Sequence, residues 1–235
     1  MACKWCGENK RLIKAHIIPK SFFVGLNEEN EPAKQLSHSS KYPKRAPMGV
    51  YDKTILCHDC EQIFQETDNY GQELLLNEKH EEITRNGSLI GYRLVNVNYS
   101  LIKLFFISIL WRASVSSQEF YKKVNLGKYE NIAKKNIEEK NPGEPCEFSF
   151  ILTRFTDEKF GTAMLNPHRE RWDNINYYRF YLYGYGLHIK VDKRKTANLF
   201  CQFELKNGSD LIVTGRDIAK SKELKIMHEI VHSIT

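Results

Sequence analysis

Four cysteines open the chemistry of this chain, because their spacing suits a metal ion. Cys3 and Cys6 form one Cys-x-x-Cys pair, Cys57 and Cys60 form a second, and fifty residues separate the pairs. A two-residue gap lets a tight turn aim two sulfurs at one ion, and tetrahedral zinc takes four thiolates at about 2.3 Å. Gly7 follows the first pair, where such a turn often needs a positive φ. Two pairs together point to metal rather than to redox chemistry. With all four positions filled by protein, the zinc is structural. Cys146 and Cys201 lie outside this set, beside apolar residues, and are expected to be buried thiols of the core.

The chain opens Met-Ala-Cys-Lys with no apolar run behind it. The expectation is a cytoplasmic protein, whose thiols stay reduced. The most apolar stretch, Ser100 to Ser114, holds Lys103 and Arg112 and is too short to span a bilayer. It reads as a buried helix. No membrane partner is expected.

The formal net charge is +6, and residues 1–45 account for most of it. They hold nine Lys or Arg against four Glu. A basic segment beside a metal knuckle suits a phosphate backbone. Lys14, Lys20, Lys41, Lys44 and Arg45 are the candidate phosphate contacts. The stretch from Asn27 to Met48 is polar, contains Pro32, Pro43 and Pro47, and reads as a long mobile loop.

Between the two cysteine pairs lies Lys14-Ala15-His16-Ile17-Ile18-Pro19-Lys20-Ser21-Phe22-Phe23. A Cys-x-x-Cys, then His-Ile-Ile-Pro, then Leu-Cys-x-x-Cys resembles the HNH endonucleases. The resemblance covers roughly residues 1–75. It implies a ββα-metal unit with a supporting zinc knuckle of treble-clef form. It makes His16 the general base that activates water against a phosphodiester. It also implies a catalytic divalent cation, Mg²⁺ or Mn²⁺. Pro19 would end the strand presenting His16, with Ile17 and Ile18 anchoring it. Ala15 stands where many such enzymes carry a metal-binding Asp or His. Asp52 occupies the place of the family's middle Asn, and a carboxylate can ligate a hard cation. The third motif position falls on Glu61, or on His58 inside the second pair, a candidate second-metal ligand. The implied function is hydrolysis of nucleic-acid phosphodiesters, DNA more than RNA, in a setting such as bacterial defence. The alternative is a zinc-stabilised module without catalysis that binds nucleic acid, or a regulatory protein-interaction module, with a protein partner or a homo-oligomer.

The elements that must position these residues read as an α+β fold. Residues 1–80 form the HNH-like module, and residues 90–235 form an α+β domain of unassigned role. After Cys60, Ile63, Phe64 and Thr67 share a helical face, and that helix is expected to end near Asp68-Asn69-Tyr70-Gly71. A linker containing Asn86-Gly87 follows, then a short strand at Tyr92 to Asn98. Helices fill about 98–140, including one near Gln118 to Val124 and one from Lys128 to Lys140, before the breaker Asn141-Pro142-Gly143. A β-rich region at about 146–214 is expected to form an antiparallel sheet, with strands that include Leu199 to Leu205 and a hairpin turn at Asn207-Gly208. The run Tyr177 to Ile189 is strand core by composition, with nucleobase stacking as its functional alternative. A final helix is expected at about 215–232. There His228-Glu229-Ile230-Val231-His232 matches a zinc-protease pattern but reads as a packing face through Ile226, Met227, Ile230 and Val231.

Overall fold

A computed structural model describes residues 1–24, 34–36, 44–156, 163–196 and 200–217. The fold is mixed α and β. In chain order the elements are β1 (Ala15–His16), α1 (Ser21–Val24), β2 (Lys34–Leu36), β3 (Lys44–Arg45), β4 (Tyr51–Asp52), α2 (His58–Gln62) and α3 (Gln65–Gln72). A π-helical turn (Glu73–Asn77) extends α3. Then come β5 (Glu81–Arg85), β6 (Ser88–Leu94), α4 (Tyr99–Val115) and α5 (Tyr129–Glu138). The remaining strands are β7 (Phe150–Phe155), β8 (Ala163–Leu165), β9 (His168–Trp172), β10 (Ile175–Leu182), β11 (Tyr185–Lys190) and β12 (Leu211–Arg216).

At the centre lies α4. Asn98 caps it by accepting the Leu101 N–H at 3.1 Å. Every residue from Ile102 to Ala113 is buried. A helix apolar on all sides belongs inside a core. Among the described residues no helix is long and apolar enough to cross a membrane. Helix α3 packs tightly on α4: a Cβ on Gly71 would lie 2.4 Å from the Phe105 ring. This close approach explains a glycine in mid-helix. The helix does not stop at Gly71 but runs on through Asn77, burying Leu74 and Leu75.

One aromatic knot joins the N-terminal segment to this helix pair. Trp5, between the first two cysteines, meets Trp111 edge-on at 4.8 Å and Phe64 at 5.2 Å. Phe64 in turn stacks on Trp111. The buried core is continuous from Cys3 through α4 to β12, so the two regions read from the sequence share one core.

The large sheet has seven strands in the order β5-β6-β12-β7-β11-β10-β9. It departs from expectation in two ways. The supposed linker at Asn86-Gly87 is the turn of the β5–β6 hairpin, with φ of 52° and 74° at the two residues. Such a turn matches the strand twist. Also, β12 runs parallel to β7, so the sheet is not wholly antiparallel. The aromatic run forms the β10–β11 hairpin, and its Tyr177, Tyr178, Tyr181 and Tyr185 are buried. Those rings are core, not a stacking surface.

Other expectations are corrected locally. Lys34–Leu36 and Lys44–Arg45, read as loop, are strands of a small sheet in the order β3-β2-β8. Gln118 to Val124 holds only a 3-10 turn, Glu119–Tyr121, which buries Phe120 and Tyr121. Phe200 to Phe203 forms turns, not a strand, and Asn207-Gly208 closes a turn ahead of β12 with no strand before it. Cys146 and Cys201 are exposed. Gly215 and Arg216, read as the start of a final helix, belong to β12; the rest of that expectation beyond Asp217, with His228 and His232, lies outside the described residues, as does Lys41.

Gly71→Val should drive a branched side chain into the Phe105 ring. We expect a loss of about 1–3 kcal/mol of stability, read as a lower urea midpoint at unchanged slope.

Candidate metal centre and adjoining cleft

Both cysteine pairs are presented by turns tied to each other. The Gly7 N–H donates to the Cys3 carbonyl at 2.9 Å, and Gly7 has a φ of 76°. The Lys4 N–H donates to the Ile55 carbonyl at 2.8 Å, which ties the first turn to the bend just before the second pair. Cys57 precedes the first turn of α2, and Cys60 lies within it. All four sulfurs lie within 4.8 Å of one another. Around one zinc ion they would stand about 3.8 Å apart, so a small closure suffices. Burial raises the Cys3 thiol, but N–H groups of Cys6, Cys57 and Trp5 outweigh it and bring the thiol down to about 7. One of these donors is the Cys57 N–H, 3.4 Å from Cys3 Sγ. Burial and the neighbouring sulfurs push Cys60 up. Four thiols this close can hold a metal ion. Among the described residues no other group of three or more His, Cys, Asp or Glu side chains gathers this way.

Directly after the knuckle, β1 pairs with β4, matching Ala15 with Asp52 and His16 with Tyr51. Directly paired residues share a face, and neighbours along a strand point to opposite faces. His16 and Asp52 therefore face opposite ways. His16 packs edge-on against Tyr51 at 5.9 Å. Asp52 is fully buried on the other face. One of its oxygens accepts from Thr54 N–H at 2.8 Å and Thr54 Oγ1 at 2.6 Å. The other accepts from Ser116 Oγ, Ser117 N–H and Ser117 Oγ at 2.6–2.9 Å. Burial raises its carboxyl, yet these donors prevail and hold it below the ordinary value of 3.8. Asp52 is an anchor between β4 and the end of α4. Its expected place beside His16 is corrected, because strand register sends it elsewhere.

On the other side, His16 opens into a cleft of about 280 Å³. Helix α2 and helix α3 form its opposite wall. Glu61, Gln65, Asp68 and Gln72 all line it, and their spacing puts them on one helical stripe. Glu61 Oε2 is buried without a hydrogen-bond partner, and so is His16 Nε2. Burial raises the Glu61 carboxyl and lowers the His16 imidazole. The cations Arg112 and Lys20 lower His16 further. The Met48 carbonyl accepts from the ring. With Nε2 unpartnered, that bond belongs to Nδ1–H, which fixes the tautomer.

Arg112 closes the back of the cleft. Its side chain is 1% exposed. It forks onto Asp68 with bonds of 2.7 and 2.9 Å, and it donates to the His16 carbonyl at 3.1 Å. Arg112 and Asp68 are the site residues that the sequence reading missed. The signal was there: a charge inside an apolar helix needs a partner.

The other candidates separate. Lys20 lines the cleft. Lys14 sits over the Tyr51 ring at 5.5 Å. Lys44 and Arg45 are exposed on β3. His58 is exposed beside Asp59, at 3.8 Å, and does not line the cleft. Comparison with protein-family models, curated proteins and solved structures finds no match.

Replacing Asp52 by Asn should turn an amide against the Ser117 donors. We expect a cost of about 1–3 kcal/mol near neutrality. The unfolded chain holds a proton on Asp52 at pH values where the folded protein does not. The anchor's contribution is thus complete well above pH 3.8, and it is lost as pH falls through the lowered folded value. Acid unfolding of the variant should therefore be shallower, as followed by circular dichroism.

Proposed function

We propose that the protein is an HNH-like, metal-dependent endonuclease, acting on DNA before RNA, with a structural zinc ion on Cys3, Cys6, Cys57 and Cys60. The observation that carries the reading is the place of the His16 ring in the wall of the cleft. Its Nε2 is buried and unpartnered, and His16 lines the same cleft as Glu61, whose Oε2 is also buried and unpartnered. A neutral imidazole with one nitrogen fixed and the other open is what a general base requires.

The donor set also suits a second, hard cation. Glu61 brings an unpaired carboxylate oxygen and Gln65 an amide, enough for an ion such as Mg²⁺ that keeps most of its waters. Bound there, the ion would neutralise charge on the phosphate and its leaving oxygen. His16 Nε2 would take a proton from water as the water oxygen bonds to phosphorus and the bond to the leaving sugar oxygen breaks. The Met48 carbonyl stabilises the imidazolium that forms, and Arg112 holds the backbone that carries it. Lys20, at the cleft rim, would pair with a flanking phosphate.

One observation favours the quieter reading, a nucleic-acid-binding module without catalysis. Asp52 is committed to its anchor, so Glu61 is the only carboxylate in the cleft that is not tied to Arg112. A plasmid-nicking assay with Mg²⁺ or Mn²⁺ separates the two.

Elemental analysis should find one zinc per chain, and a strong chelator should lower the melting temperature. Wild type should nick plasmid, and His16→Ala should lose on the order of 10²–10⁴-fold in rate. Because the free base is the active form and its pKa is lowered, the acid limb of the rate profile should fall below pH 6.5. Zinc-loaded, folded wild type that binds DNA and never cuts would leave the binding module standing.

A further inference from the structure

A second concave surface lies in the part of the chain beyond the zinc knuckles. It is a cleft of about 690 Å³ between the segment preceding α5, the strands β9 and β10, and the residues after β11. Lys123, Lys128, Arg169, Lys193 and Arg194 line it. The first four are exposed and have no ion-pair partner among the described residues. The one carboxylate in the wall, Asp192, is buried. It is already satisfied by Arg194 at 2.6 Å and by the Asn176 amide at 2.8 Å. Its charge is spent inside the wall, so the cleft is strongly positive.

The walls are also built, not loose. The Tyr178 hydroxyl accepts from the Asn125 N–H at 3.1 Å and donates to the Asn125 carbonyl at 2.7 Å, pinning the basic segment to β10. Four unpaired cations from separate segments repel one another, and a concave low-dielectric wall focuses their field. An anion with several charges at regular spacing relieves that repulsion. The volume admits a strand of a few nucleotides, and the depth of charge exceeds what one carboxylate would use.

We propose that this cleft is a docking site for the phosphate backbone of nucleic acid, apart from the His16 cleft. It would give the C-terminal half the role of holding the strand. The inference rests on the reading of the protein as one that acts on nucleic acid.

The test uses the full zinc-loaded chain in EDTA-free buffer without Mg²⁺, so that binding is read and cleavage is not. Fluorescence anisotropy would follow labelled single-stranded and duplex DNA of about two helical turns across a salt series. A cleft variant carries Lys123→Gln, Lys128→Gln, Arg169→Gln and Lys193→Gln. A control variant with the same charge change carries Lys53→Gln, Lys79→Gln, Arg85→Gln and Lys206→Gln, all exposed. The cleft variant should lose on the order of tenfold or more in affinity at about 0.1 M salt, with a salt slope shallower by about 3. The control should stay within about threefold of wild type, a spread within which long-range screening leaves distant charges.

Equal losses in both variants, or none in the cleft variant, would overturn the docking site. So would a wild type that binds poly-glutamate through these residues better than any nucleic acid, which would make the partner an acidic protein. Failure here with His16-dependent nicking intact would leave the nuclease standing. Cleft-dependent binding without nicking would do the reverse.

Discussion

Arg112 is the residue through which the rest of the arrangement is held. It sits in the most apolar helix among the described residues and is almost wholly buried. An isolated buried guanidinium would cost many kcal/mol, so it has to be paired and hydrogen-bonded. It meets Asp68 with a two-pronged contact, the Ser108 hydroxyl at 2.9 Å, and the carbonyl of His16. One cation therefore ties α4, α3 and β1 together. Its ring-facing side lies over Phe64, 5.0 Å from the ring centre. Removing one partner of such a pair strands the other, which is why a polar tie in a core acts as a constraint on geometry.

That tie explains how three short pieces of chain can hold a cleft. Strands β1 and β4 have two residues each, too short to be stable alone. The four-cysteine cluster gathers one end of the unit, Asp52 fixes the far strand to the end of α4, and Arg112 fixes the near strand to its middle. Trp5 makes the same link by packing, since it lies within the first cysteine turn and against Trp111. These ties hold the backbone on both sides of the His16 ring, whose buried Nε2 is left without a partner.

Some of this was legible in the sequence. The cysteine pairs carry their own geometry in local spacing, whereas His16 was singled out by the resemblance that His-Ile-Ile-Pro carries. Glu61 was legible as the residue after Cys60. Asp52 shows the limit. Its place in the motif came from the resemblance, yet spacing does not say which face of a strand a residue occupies, and a shift of one residue reverses the answer. Arg112 and Asp68 are forty-four residues apart, and their pairing depends on how α3 lies across α4. The β5–β6 hairpin joins a sheet whose other strands come much later, so its local signal was an ordinary turn. Cys146 and Cys201 were misjudged because apolar neighbours in sequence do not decide the burial of an irregular segment.

We infer that His16 is a neutral imidazole with its proton on Nδ1 and an unpartnered Nε2. Long-range proton–nitrogen correlation spectra of ¹⁵N-histidine-labelled protein test this directly. At pH 7 the expected species is the Nδ1–H tautomer of His16, with titration only below pH 6.5 and a response at Nε2 when Mg²⁺ and a nucleotide monophosphate are added. A proton resident on Nε2, or an imidazolium at pH 7, would contradict it.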